Sequence, residues 1–187
     1  QATAWYCLQK LFYLWNKNHS LSKKIALLLP KNEPVPSEKI ENCDTRETYF
    51  NVDGISMEPM IKNGQKIKVI GNYYTCNPII NRGDIIIYES FTTNWPIIKQ
   101  VRVLSWDIVK FENNNMYVNG EILKNSVWEI YSFTHDEIKY MSMYIQENSK
   151  LQDWAFFAFW DNTKNSIDSR KMWWLWINNV KWKVVLE

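Results

Sequence analysis

At 187 residues the chain is long enough for one domain with an insertion, and its 46% hydrophobic content argues against disorder. A net charge of +2 with no basic run leaves no electrostatic case for nucleic acid, so no nucleic-acid partner is expected. Cys7, Cys43 and Cys76 show neither CxxC spacing nor an evident disulfide framework, and His19 and His135 lack metal-ligand spacing. No metal or cofactor is therefore expected, and a catalytic triad built on histidine is disfavoured.

Residues 1–30 open without an initiator methionine, which reads as a fragment, and carry the apolar run "AWYCLQKLFYLW" interrupted by Gln9 and Lys10. That run is too short and too polar for the roughly 20 residues a membrane helix needs; an amphipathic or interfacial helix near 4–15 is expected instead. Polar residues 31–47, with Pro34 and Pro36, read as a linker, so 1–47 form an N-terminal helical and linker segment. From Tyr49 onward short β-branched runs predict strands at 66–70, 84–88, 97–103, 107–111, 155–159 and 183–186. Asn119-Gly120 between alternating apolar runs predicts a two-residue hairpin. The segment 125–152, partly helical in pattern, reads as an insertion in an antiparallel domain.

Three stretches could carry chemistry. In "VDGISMEPM" (52–60) Gly54 and Pro59 shape the chain around Ser56, which is either a plain turn serine or a projected hydroxyl. In the predicted strand "PIIKQVRV", Lys99 shares a face with Ile97, Val101 and Val103 by the two-residue period. It is then a gatekeeper or snorkelling side chain, or an amine kept neutral by burial. In "FWDNTKNSIDSR" (159–170) Asp168 and Arg170 are two apart and can pair, with Ser166 two residues before them.

In this order and spacing the segments resemble type I signal peptidases, the serine–lysine family that removes signal peptides from exported proteins. "GISMEP" resembles its nucleophile box, "RGDIIIY" its following strand box, "IIKQVRVLSWD" its lysine box and "FWDNTKNSIDSR" its closing box. The resemblance covers about 48–187 with 125–152 unmatched. It implies a mainly β, antiparallel, barrel-like catalytic domain with short helices. It further implies Ser56 as nucleophile, Lys99 as general base, Gly54 shaping an oxyanion loop and Ser166 positioning the lysine. Asp161, Asp168 and Arg170 become structural residues near the site. The implied partners are exported preproteins, a membrane surface and the translocation machinery, at the cell membrane on its extracytoplasmic side. Two rivals share parts of this pattern: a soluble self-cleaving serine–lysine domain, and a catalytically silent β-domain that binds peptides by strand addition.

One departure has a pattern. Eleven tryptophans outnumber five glycines, against roughly 13 glycines expected from average usage. Trp106, Trp154, Trp160, Trp173 and Trp182 stand where the resembled family has glycine. A single replacement type at five turn positions fits UGA codons that the organism reads as glycine. Tryptophan held at positive φ there would cost about 1–2 kcal/mol per site.

Overall fold

The structure is a computed structural model that describes residues 43–89, 96–146, 148–151, 155–164, 168–170, 175–176 and 180–186. All of them belong to one compact unit, Val35–Glu187. The interfacial helix expected at 4–15 and most of the linker lie outside the described residues. No helix among the described residues is long and apolar enough to cross a membrane.

Strand β1 (Arg46–Asn51) begins two residues inside the expected linker and is exposed along its length. It pairs antiparallel with β2 (Lys66–Gly71), Arg46 opposite Gly71. Helix α1 (Tyr73–Cys76) follows at once. That register brings the residues before β1 beside those after β2, and Cys43 and Cys76 form a disulfide across the gap. The pairing corrects the sequence reading, which saw no disulfide framework. Its cysteines are 33 apart in a chain with no spacing signal, and only strand pairing makes them neighbours.

The remaining elements are β3 (Ile85–Glu89), β4 (Pro96–Val103), β5 (Val109–Glu112), β6 (Asn115–Val118), β7 (Glu121–Ile122), α2 (His135–Ser142), β8 (Ala155–Phe159), β9 (Leu175–Trp176) and β10 (Val180–Val185). Among the described residues the strands form two sheets: seven in the order β1-β2-β10-β3-β4-β8-β9, and three as β5-β6-β7. The fold is mainly antiparallel β, as expected. Asn119 and Gly120 both take positive φ (54° and 88°) between Val118 and Glu121, the two-residue hairpin predicted. Thr134 caps α2 by accepting from Glu137 N, while the Glu137 carboxylate accepts from Thr134 N at 2.8 Å.

Strand β8 explains why its five residues are all apolar. Ala155, Phe157 and Phe159 face one core with Tyr131, Phe133, Met141 and Leu151; Phe156 and Ala158 face a second with Ile86, Tyr88 and Val101. Both faces are buried, so neither tolerates a polar residue. Strand β4 departs from strict alternation. Val101 opposes Ala158 and Val103 opposes Phe157, so Arg102 is the extra residue of a bulge. The bulge corrects the expectation that Val103 shares the Lys99 face: Val103 turns into the first core while Val101 stays in the second.

The tryptophans divide unexpectedly. Trp106, Trp160 and Trp182 do not take positive φ, so backbone strain is not what sets them apart; Trp154 and Trp173 lie outside the described residues. Trp128 does, at φ 69°. It ends the loop 126–128 between Asn125 and Glu129, where Asn125 N donates to Glu129 O at 2.9 Å, and donates from its own N–H to Asn125 O at 3.2 Å, with its side chain 79% exposed. A left-handed residue ending a three-residue hairpin loop is a glycine position. Trp128→Gly is expected to stabilise the fold by about 1 kcal/mol in urea denaturation. No gain would remove the strain argument, and UGG codons at the five positions named above would remove the codon reading.

Candidate active site

The serine loop is built from the core outward. Met57 and Ile61 are fully buried with Val52, Ile67, Val69 and Ile85, which pins the turn from below. Gly64 N donates to Val52 O (2.8 Å) and Val52 N to Gln65 O (2.9 Å), closing the loop at its base. Gly54, at φ 101°, holds the left-handed shape expected of it and donates from its N–H to Asn63 Oδ1 at 2.9 Å. Ser56 starts the turn and is half-buried.

Lys99 lies in β4 opposite Ile86, in the interior of the large sheet, and is 0% exposed. Its Nζ sits 5.1 Å from the Tyr88 ring and 5.4 Å from the Trp160 ring. The gatekeeper and snorkelling readings both need a wet amine and are overturned by this burial. Burial lowers its pKa from the ordinary 10.5 to about 7; Asp168 acts against the shift and Arg170 adds to it. The amine therefore exchanges its proton near neutrality, with the neutral form available there rather than only above pH 10.5.

The closing segment joins the two. Asn162 N donates to Ser56 O at 2.9 Å, two residues after Trp160, whose side chain packs in the same cluster as Met57 and Ile98. Among the described residues no hydrogen bond joins the Ser56 hydroxyl to Lys99. Catalytic hydrogen bonds are often long before substrate binds and tighten in the complex. Ser166, expected to position the amine, lies outside the described residues.

Asp168 and Arg170 pair as predicted, but buried rather than exposed. Arg170 Nε donates to Asp168 Oδ1 (2.8 Å) and Nη2 to Oδ2 (2.7 Å), and Oδ2 also accepts from Trp160 N at 3.2 Å. Asp161, 1% exposed, accepts from Met60 N in the serine loop (3.2 Å), Arg102 in the β4 bulge (3.3 Å), and both Ser126 N (2.8 Å) and the Ser126 hydroxyl. One carboxylate thus ties the serine loop, the lysine strand and the 125–128 turn together.

Residues missed by sequence reading surround this hub. Asn125 Nδ2 donates to Asp161 O (3.0 Å) and the Tyr131 hydroxyl to Trp160 O (2.7 Å). Both come from the segment read as an insertion, and nothing in its pattern marks them. Tyr88, whose hydroxyl is pushed well above its usual range by burial and by Asp168, was legible only as a strand residue. Among the described residues no cluster of His, Cys, Asp and Glu could hold a metal.

An antiparallel β domain that buries an amine against Trp160, and whose serine-bearing turn is tied to Asn162 in the same closing segment, has the parts of a hydrolase that needs no histidine. The family model described as signal peptidase, peptidase S26, matches residues 46–185, and the chain belongs to that family. Among its relatives, signal peptidase I U of Bacillus subtilis (strain 168) is 24% identical over 123 residues, 65% of this chain and 64% of that protein. The match therefore spans less than two thirds of that relative's length. Signal peptidase IB of Staphylococcus aureus (strain COL) is 24% identical over 133 residues, 66% of this chain and 68% of that protein. The crystal structure of a signal peptidase I from Enterococcus faecalis V583 aligns at a TM-score of 0.38 and 18% identity, covering 58% of this chain and 97% of that one.

Proposed function

We propose that the chain is a serine endopeptidase that removes N-terminal signal peptides from exported preproteins. Ser56 is the nucleophile and Lys99 the general base. The observation that carries this reading is the fully buried Lys99 with its amine lowered to about 7. Holding a lysine there works against the fold, and the arrangement makes physical sense where a neutral amine has chemistry to do.

In this mechanism the Lys99 amine takes the Ser56 proton as Oγ attacks the scissile carbonyl. The charge developing on the carbonyl oxygen meets the Ser56 N–H. The protonated amine then gives its proton to the leaving amine, which leaves an acyl-enzyme. Water, deprotonated by Lys99, attacks the ester, and the proton returns to Ser56 Oγ. Ser166 would hold the amine in line, and Gly54, Asp161, Asp168 and Arg170 keep the loop and floor in shape.

Family membership supports preproteins as substrates and an extracytoplasmic catalytic domain at the cell membrane; the translocation machinery is the partner that this function would require. The Cys43–Cys76 disulfide also supports an oxidising compartment.

The test is cleavage of a preprotein with small residues before the cut, by wild type and Ser56→Ala. Protonation switches the base off, so kcat/KM is expected to climb with pH through about 7 and then level. Ser56→Ala should lose cleavage at every pH. Full activity in that variant, or a rate that falls as pH rises through 7, would overturn the assignment.

A further inference from the structure

The peptide joining Ile55 to Ser56 is gripped from one side. Ile55 O accepts from Glu58 N at 3.1 Å and from the Asn162 side-chain Nδ2 at 3.3 Å, while Asn162 N donates to Ser56 O at 2.9 Å. The Asn162 Oδ1 in turn accepts from Lys164 N at 3.2 Å, which fixes which end of the amide faces the loop. The cis bond of this loop is Glu58–Pro59, so the 55–56 peptide is trans. In a trans peptide the C=O and the following N–H point to opposite sides of one rigid plane. Any donor that holds Ile55 O therefore aims Ser56 N–H the other way. Among the described residues Ser56 N–H donates to no protein group.

We propose that Asn162 is a positioning residue that aims the Ser56 amide at the oxyanion, using its side chain to hold the Ile55 carbonyl. The inference rests on the peptidase reading above. Asn162 contributes twice. It fixes the rotation of the plane, and a donor on the carbonyl polarises the amide so that its N–H is a better donor in turn. In this role the side chain acts through the Ile55 carbonyl. Its main-chain bond to Ser56 O survives any substitution except proline, so side-chain variants probe the aim of the amide and leave the loop tethered.

The experiment compares wild type, Asn162→Ala and Asn162→Asp in preprotein cleavage, in binding of a peptide aldehyde and in thermal unfolding. The aldehyde reports on the oxyanion directly. Ser56 Oγ bonds to its carbon, the Ser56 proton passes to the Lys99 amine, and the carbonyl oxygen takes the electron pair and faces the Ser56 N–H. Loss of one neutral hydrogen bond predicts a kcat for Asn162→Ala lower by about tenfold, with KM and the pH midpoint unchanged. Aldehyde affinity is expected to fall by a similar factor. Asn162→Asp, which sets a carboxylate against the Ile55 carbonyl, should lose at least as much. Unchanged kcat in Asn162→Ala would overturn this inference alone. So would a loss that disappears once the rate is corrected for the folded fraction, or one carried by KM. A wild type without Ser56-dependent cleavage would overturn the peptidase reading and this inference with it.

Discussion

Lys99→Met is expected to abolish cleavage and at the same time to make the fold more stable, by about 2–4 kcal/mol at pH 7. The two effects have one cause. An unfolded chain keeps the lysine protonated up to 10.5, whereas the folded chain releases that proton near 7. Between those values the unfolded state holds more protons, so wild-type stability rises with pH, and below 7 the full penalty applies. Methionine fills a similar volume without a charge to desolvate. Urea denaturation at pH 7 and pH 10 reads both halves. Wild type should gain stability between the two pH values, and the variant should start higher and gain less. A variant less stable than wild type at pH 7 would mean that the lysine's own contacts outweigh its burial. The base assignment would then lose its physical support.

Asp168→Asn is expected to destabilise the protein by about 3–5 kcal/mol, because it strands a buried guanidinium. Arg170 is 6% exposed and donates two side-chain hydrogen bonds to this one carboxylate, which also accepts from Trp160 N. The same variant should move the acid limb of the pH–rate profile to lower pH. Asp168 raises the Lys99 pKa and Arg170 lowers it, so removing the anion and exposing the cation push the same way. Denaturant midpoints measure the first effect, and kcat/KM against pH at low temperature measures the second. An acid limb that moves up would show that Asp168 is coupled to the site in some other way.

Much of the fold was legible because periodicity and turn chemistry are local. The apolar runs at 66–70, 84–88, 97–103 and 155–159 became β2, β3, β4 and β8, and Asn119-Gly120 became a two-residue hairpin. Lys99 stood out for a local reason as well, as one charge on an apolar face. The tryptophan pattern was visible as composition, yet among the described residues the tryptophan at a glycine-like φ is Trp128, outside the five that resemblance singled out. Resemblance compares positions along the chain, whereas strain depends on how a particular turn closes.

Chain order by itself determined the strand content, the serine turn, the apolar face around Lys99 and the Asp168–Arg170 partnership, since each rests on residues within a few positions of one another, whereas the burial of Lys99 came from the packed sheet. Tertiary structure alone decided the Cys43–Cys76 bridge, the bulge that turns Val103 and Arg102, and the meeting of Met60, Arg102 and Ser126 on Asp161. Those contacts join segments tens of residues apart, and their energies come from burial and hydrogen-bond satisfaction that no short window of sequence contains.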